Sequence, residues 1–244
     1  MLSGPLSAQN RAVHDSIHQM QRKMAVDAQK LISRNKFPEA SMLLKPEIMK
    51  HGIQDSVRDL LEILYIQSLG AAGKTDSAIM AGKDWSKRDV YNVKPHQELY
   101  KIYFGLGDYN NAAHQLELCL MRKPGDVMMI AQASMLYMQS ENLVKGEHLG
   151  KLALEKAVKP TERAAALTAK AMLLLKKREY ELALNTAKEA IAEDINYPES
   201  FYVLGVTYAR LGREDLICQP LVNAIERKGG PWCKDFYETR CLGR

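Results

Sequence analysis

The chain has 244 residues, enough for one large domain or two small ones. Its 34 Lys and Arg against 29 Asp and Glu leave a net charge of +5. These charges are interspersed, without a run of five or more basic residues, which argues against a dedicated nucleic-acid surface. No apolar run is long enough to span a bilayer, and the first residues lack the basic start and apolar stretch of a signal peptide. With Met1 as the natural start, the expected location is cytoplasmic.

Ser7 is a good N-cap, and a helical pattern follows to about Asn35. Val13, Ile17, Met20, Met24, Leu31 and Ile32 fall on one stripe of that helix. Residues 1–20 therefore extend the first helix, as an N-terminal cap, as a dimerisation helix, or as a helix folding into the protein's own groove. His14 and His18 stand one turn apart on it and resemble a zincin motif with Asp15 in place of Glu. A metal site needs a third ligand and a water-excluding cleft, so two solvated histidines are the expectation.

From residue 21 onward a segment recurs. Its markers are Leu31, Leu69, Tyr103, Tyr137, Leu174 and Tyr208, spaced 34 to 38 residues apart. Nine residues after each marker come Ala40, Ala78, Ala112, Gly146, Ala183 and Ile217. All but the last are small, which lets a second helix approach the first. Four residues after each marker lie Asn35, Gly73, Gly107, Glu141, Arg178 and Gly212. Gly and Asn tolerate the left-handed conformation that ends a helix, so the turns at Glu141 and Arg178 are expected to be built differently. Prolines 95, 124, 160, 198 and 231 fall near predicted helix ends. Pro38 fits a first turn, whereas Pro220 falls inside a predicted second helix and should kink it. Val and Ile are not grouped in alternating runs, so strands are not expected.

Gly73-Lys74-Thr75 looks like part of a phosphate-binding loop, but Ser68 stands where that loop needs glycine. A helix precedes it where a strand is required, so a hairpin turn is the expectation. Histidines 51, 96, 114 and 148 are scattered and form no catalytic pattern. Cysteines 119, 218, 233 and 241 include no close pair of the zinc or redox kind; Cys119 reads as a small buried hydrophobe and a reducing compartment as the simpler setting. Beyond Gly229-Gly230-Pro231, the aromatic-rich residues 232–244 predict a capping segment.

The segments Leu99 to Pro124 and Leu204 to Ala224 resemble the tetratricopeptide repeat, a 34-residue helix-turn-helix with a Leu-Gly-x-x-Tyr core and an alanine early in its second helix. The resemblance spans residues 21–231. It implies an all-α fold, a right-handed superhelical solenoid of about six such repeats. It also implies that certain first-helix positions outside the packed core line a concave groove. Carried onto this chain, those positions include Lys94, Lys101, Phe104, Met128, Met135, Met138, Met172, Leu175, Tyr202, Val206 and Arg210. The expected groove is apolar, rich in methionine and flanked by positive charge, suited to an apolar or amphipathic segment of another protein. The family's carboxylate clamp for chaperone tails is not reproduced.

The expected function is thus a non-enzymatic interaction scaffold or adaptor, in bacterial assembly, secretion or signalling by fold analogy, with no cofactor or metal. The competing class is RNA binding by a helical repeat, which would need a polar code at one position in every unit. An enzyme with a dispersed metal site is the third class.

Overall fold

The structure, a computed structural model, describes residues 8–50 and 55–242, excepting the side chains of 8–12, 14 and 231. Ser7, His51 and the His14 side chain lie outside the described part, so the cap and ligand expectations placed on them do too. Among the described residues there is no strand, no helix long and apolar enough to cross a membrane, and no group of metal-ligating side chains.

The chain folds as two compact units, Met1–Leu106 and Gly107–Arg244. The first holds α1 (Ala8–Ser33), α2 (Phe37–Met49), α3 (Ser56–Ala71), α4 (Thr75–Arg88) and α5 (Lys94–Gly105). The second holds α6 (Tyr109–Leu120), α7 (Val127–Gln139), α8 (Leu143–Lys156), α9 (Pro160–Lys176), α10 (Tyr180–Glu193) and α11 (Pro198–Arg210), then α12 (Cys218–Glu226) and α13 (Pro231–Tyr237). Within each unit, consecutive helices pack pairwise and first helices also pack on the next first helix, as α1 does on α3 and α7 on α9.

The turns follow one design. Asn35, Gly73, Gly107, Glu141, Arg178 and Gly212 all have positive φ, between 57° and 75°. In five of these turns the amide two residues past the last full helical turn donates to the carbonyl of the marker residue: Lys36 to Leu31, Lys74 to Leu69, Asn142 to Tyr137, Glu179 to Leu174 and Arg213 to Tyr208. This is the Schellman closure, which satisfies a carbonyl orphaned by the helix end. Glu141 (φ 61°) and Arg178 (φ 64°) thus correct the expectation that their turns differ. The closing hydrogen bonds recur there regardless of residue type and offset the strain of a side chain at positive φ. Gly73-Lys74-Thr75 is one of these turns, with the Lys74 amide spent on Leu69.

The small positions behave as the packing argument requires. Ala40, Ala78, Ala112 and Ala183 are wholly buried, and so is Ile217. A Cβ on Gly146 would meet Met138 Cγ at 2.5 Å and the Ser134 carbonyl at 3.1 Å, so α7 and α8 touch there backbone to backbone. Ser134 uses the same approach to donate its hydroxyl to the Gly146 carbonyl at 2.7 Å.

Pro220 does not kink a helix. The last repeat's second helix is split into a 3-10 turn at Glu214–Leu216 and α12, so Pro220 falls in the first turn of α12, where its missing N–H has no helical partner to lose.

The first unit is tied by a buried polar network as well as by its apolar core around Leu61, Tyr65 and Trp85. Arg58 is 1% exposed and donates to the carbonyls of Glu47 and Ile48 at 2.6 Å each, which caps the C-terminus of α2. Its Nε lies 3.3 Å from Glu62, which also accepts from Arg88 at 2.9 Å. A guanidinium serves here because one group supplies several directed donors and its charge complements the helix C-terminus.

Candidate binding face

The predicted groove residues divide by unit. In the first, Lys94 is held by Asp59 at 2.7 Å and Lys101 by Glu98 at 2.5 Å, so both charges are already matched locally. Phe104 is half-buried and sits 5.7 Å from the Tyr100 ring. The same unit carries an open cleft of about 450 Å³ between α2, α3 and α4, lined by Ile48, Met49, Tyr65 and Met80 with Lys45 and Lys87 at its rim.

In the second unit the methionines turn inward. Met138 is wholly buried, and Met135 and Met172 are 8% and 7% exposed. They form one core cluster with Ala169, Leu184, Val203 and Leu204. The physical reason lies in how these helices are enclosed: α7, with Met135 and Met138, packs on α6, α8 and α9, and α9, with Met172, packs on α7, α8, α10 and α11. These three methionines are core, which corrects their expected place on an open groove. Met128, Leu175 and Val206 remain half-buried, Arg210 is exposed, and Lys176 pairs with Glu141 at 2.5 Å.

Tyr202 is the hub of what remains. It lies mid-way along α11, one turn before Val206, and its hydroxyl group engages the Gln139 side chain from the end of α7. Trp232 and Phe236 of α13 meet its ring edge-on, at centroid distances of 6.2 and 6.1 Å. Cys233, wholly buried, packs with Phe201 and Ala224 just beneath. Burial pushes the Tyr202 hydroxyl up to about 12, with Cys233 and Tyr109 adding to the shift. Burial likewise takes the Cys233 thiol to about 12, helped by Glu199. Glu199 itself is raised by its own burial. Tyr202 and Cys233 are therefore neutral at ordinary pH, and the site is a dry aromatic contact surface rather than a poised nucleophile and base.

Cys218 and Cys241 form a disulfide, with Cα atoms 5.8 Å apart and a sequence separation of 23. The expectation of a reducing compartment rested on the lack of a close cysteine pair, and this bond removes that ground. Sequence spacing had no means to find it, because the turn between α12 and α13 is what brings the two residues together. Cys119 is buried as expected, its thiol pushed up to about 11 by burial.

A polar cluster joins α6, α7 and α8. The Tyr137 hydroxyl donates to Glu117, and Lys145 reaches Glu117 at 3.0 Å and the Tyr137 oxygen at 3.1 Å. Burial acts to raise the Glu117 carboxyl, but the hydrogen bonds from Tyr137 and Lys145 outweigh it, and its pKa lies below the ordinary 4.5. Lys145 lies above its ordinary 10.5, chiefly through its hydrogen bond to Glu117. The carboxylate's contribution is full above pH 4.5 and is lost as pH falls through the lowered native value. The ammonium's contribution is full below pH 10.5 and is lost as pH rises through the raised native value. Glu117→Gln is accordingly expected to cost about 1 kcal/mol at pH 7, the cluster being partly solvated. The gap between variant and wild type should close on acidification below the native carboxyl pKa. Urea titrations at pH 7 and in acid measure both values, and a gap independent of pH would refute the assignment.

No family model matches the sequence, and no curated protein matches it significantly. Among solved structures, a tetratricopeptide repeat protein from Parabacteroides merdae superposes with a TM-score of 0.63 at 15% identity, over 91% of this chain and 89% of that one. A thermophilic tetratricopeptide repeat protein of Thermus thermophilus matches with a TM-score of 0.49 at 20% identity, over 75% of this chain and 99% of the other. The first of these shows that this chain has the tetratricopeptide-repeat fold.

Proposed function

We propose that this tetratricopeptide-repeat chain is a non-enzymatic protein-binding scaffold whose first-helix face in the second unit takes an apolar or amphipathic segment of another protein. The observation that carries the reading is the seat of α13. A short aromatic helix already lies on Tyr202, so the chemistry of the face suits such a ligand. Val206 continues the stripe one turn further along α11, and Arg210 follows one turn beyond it at the exposed end. That arrangement favours a segment with apolar anchors and an acidic flank. Roles in bacterial assembly, secretion or signalling fit a scaffold of this kind.

Direct sequence readout of RNA would need a recurring polar position, whereas Met128, Ala165 and Glu199 occupy equivalent places. Val206→Glu with Arg210→Glu alters half-buried and exposed positions and should leave the fold intact. The double variant is expected to lose at least about tenfold in affinity for proteins cross-linked to the wild type, the loss of one anchor and one charge. Undiminished capture of every cross-linked protein by a folded variant would refute the reading. Retention of single-stranded RNA at physiological salt would favour the other class.

A further inference from the structure

The second unit carries its own occupant for the Tyr202 face. The chain leaves α12 through Lys228, whose φ is 61°, and the Gly229–Gly230 pair. It then forms α13, only seven residues long, and a final turn at Glu238–Leu242. Trp232 and Phe236, one turn apart, flank the Tyr202 ring, and Cys233 is sunk between α11 and α12. Arg240 sits 5.8 Å over the Phe236 ring, continuing the contact beyond the helix. The segment is fixed covalently at both ends, by the backbone at Gly230 and by Cys241, which is bonded to the first residue of α12. A seven-residue helix has no stability of its own, so its position depends on these contacts and on the bond that limits its freedom.

The geometry points to a redox-released internal ligand: with Cys218–Cys241 closed, Pro231–Leu242 covers the Tyr202 face, and reduction by a dithiol frees it for an amphipathic helix from another chain bearing two aromatic residues one turn apart. This rests on the proposed partner face and adds the partner's chemistry and its control.

The step is ordinary thiol–disulfide exchange. A thiolate of the dithiol attacks Sγ of Cys241, the S–S bond breaks, and Cys218 leaves as a thiolate that takes up a proton. The second thiol of the reductant then attacks the mixed disulfide. Cys241 is released as a thiol and the reductant departs as its own disulfide, two electrons having passed to the protein. Cys218 and Cys241 are both half-buried and accessible to such an attack. Cys233 and Cys119 are buried, with thiols near 12 and 11, and do not compete for the exchange.

The test uses the full chain. Thiol titration of the denatured, unreduced protein should find two free thiols; four would overturn the proposal. Hydrogen exchange across residues 231–242 should be at least about tenfold faster in dithiothreitol, and in the Cys218→Ser, Cys241→Ser double variant, than in the oxidised protein. Equal protection would overturn the latch while leaving the partner face intact. A fluorescent peptide of residues 230–240 carrying Cys233→Ala is the probe for the opened face. It should bind the reduced protein and the double variant at least about tenfold more tightly than the oxidised protein, and Tyr202→Ala should abolish the difference. Binding that ignores the redox state, or that fails in both states, would overturn the proposal. Loss of cross-linked partners in the Val206→Glu, Arg210→Glu variant, measured separately, tells failure of the latch from failure of the face itself.

Discussion

Arg58→Ala is expected to destabilise the first unit by about 3 to 5 kcal/mol, the range for breaking a buried ion pair by removing one partner. Three losses combine. The carbonyls of Glu47 and Ile48 each lose a donor at the end of α2, in a place water does not reach. Glu62, wholly buried, keeps only Arg88 as a charged neighbour. The stem of Arg58, itself buried, leaves a void. Replacing both partners, Arg58→Met with Glu62→Leu, should recover part of the loss, since the wholly buried carboxylate is no longer stranded and the charge left without its partner, Arg88, is partly exposed. Urea unfolding followed by Trp85, which is wholly buried in this unit, reads the effect once Trp232 is replaced by Phe. A cost below about 1 kcal/mol, the level of a surface pair, would show that the network is solvated and that its geometry does not hold in solution.

Met135→Glu and Met172→Glu are each expected to destabilise the second unit by more than about 3 kcal/mol, because each places a carboxylate in the apolar interior. Both side chains sit in the apolar cluster that joins α7, α9 and α11. Met128→Glu is the control. That residue is half-buried near the start of α7, so the change should cost less than about 1 kcal/mol. Circular dichroism at increasing urea distinguishes the two outcomes. If the buried variants were as stable as Met128→Glu, the methionines would face solvent, and the open groove read from the repeat register would return as the better description.

The repeat was legible because its signals are local. Markers such as Leu69, Tyr137 and Tyr208 close each hairpin through the carbonyl five residues before the turn's final donor, and the small residue nine positions on allows the second helix to approach. Both follow from helix geometry within one hairpin. The groove was less legible because it depends on contacts between hairpins. The family register placed Tyr202 and Val206 on an accessible stripe of α11, but it could not show that α7 is covered on both flanks. The same limit hid the turns at Glu141 and Arg178. Residue preference disfavours positive φ there, and only the repeated hydrogen-bond closure enforces it.

By itself the sequence determined an all-α chain of repeating hairpins, with their period, their turn positions and their buried small residues. These are set by backbone closure and side-chain size within about 34 residues. Tertiary structure alone decided three things. It placed Met135, Met138 and Met172 in the core, because neighbouring helices enclose α7 and α9. It joined Cys218 to Cys241, because the chain reverses after Gly230. It set Trp232 and Phe236 on Tyr202, because that reversal brings an aromatic helix onto α11. Each is a contact between residues distant in sequence, where burial and geometry, and not local preference, set the outcome.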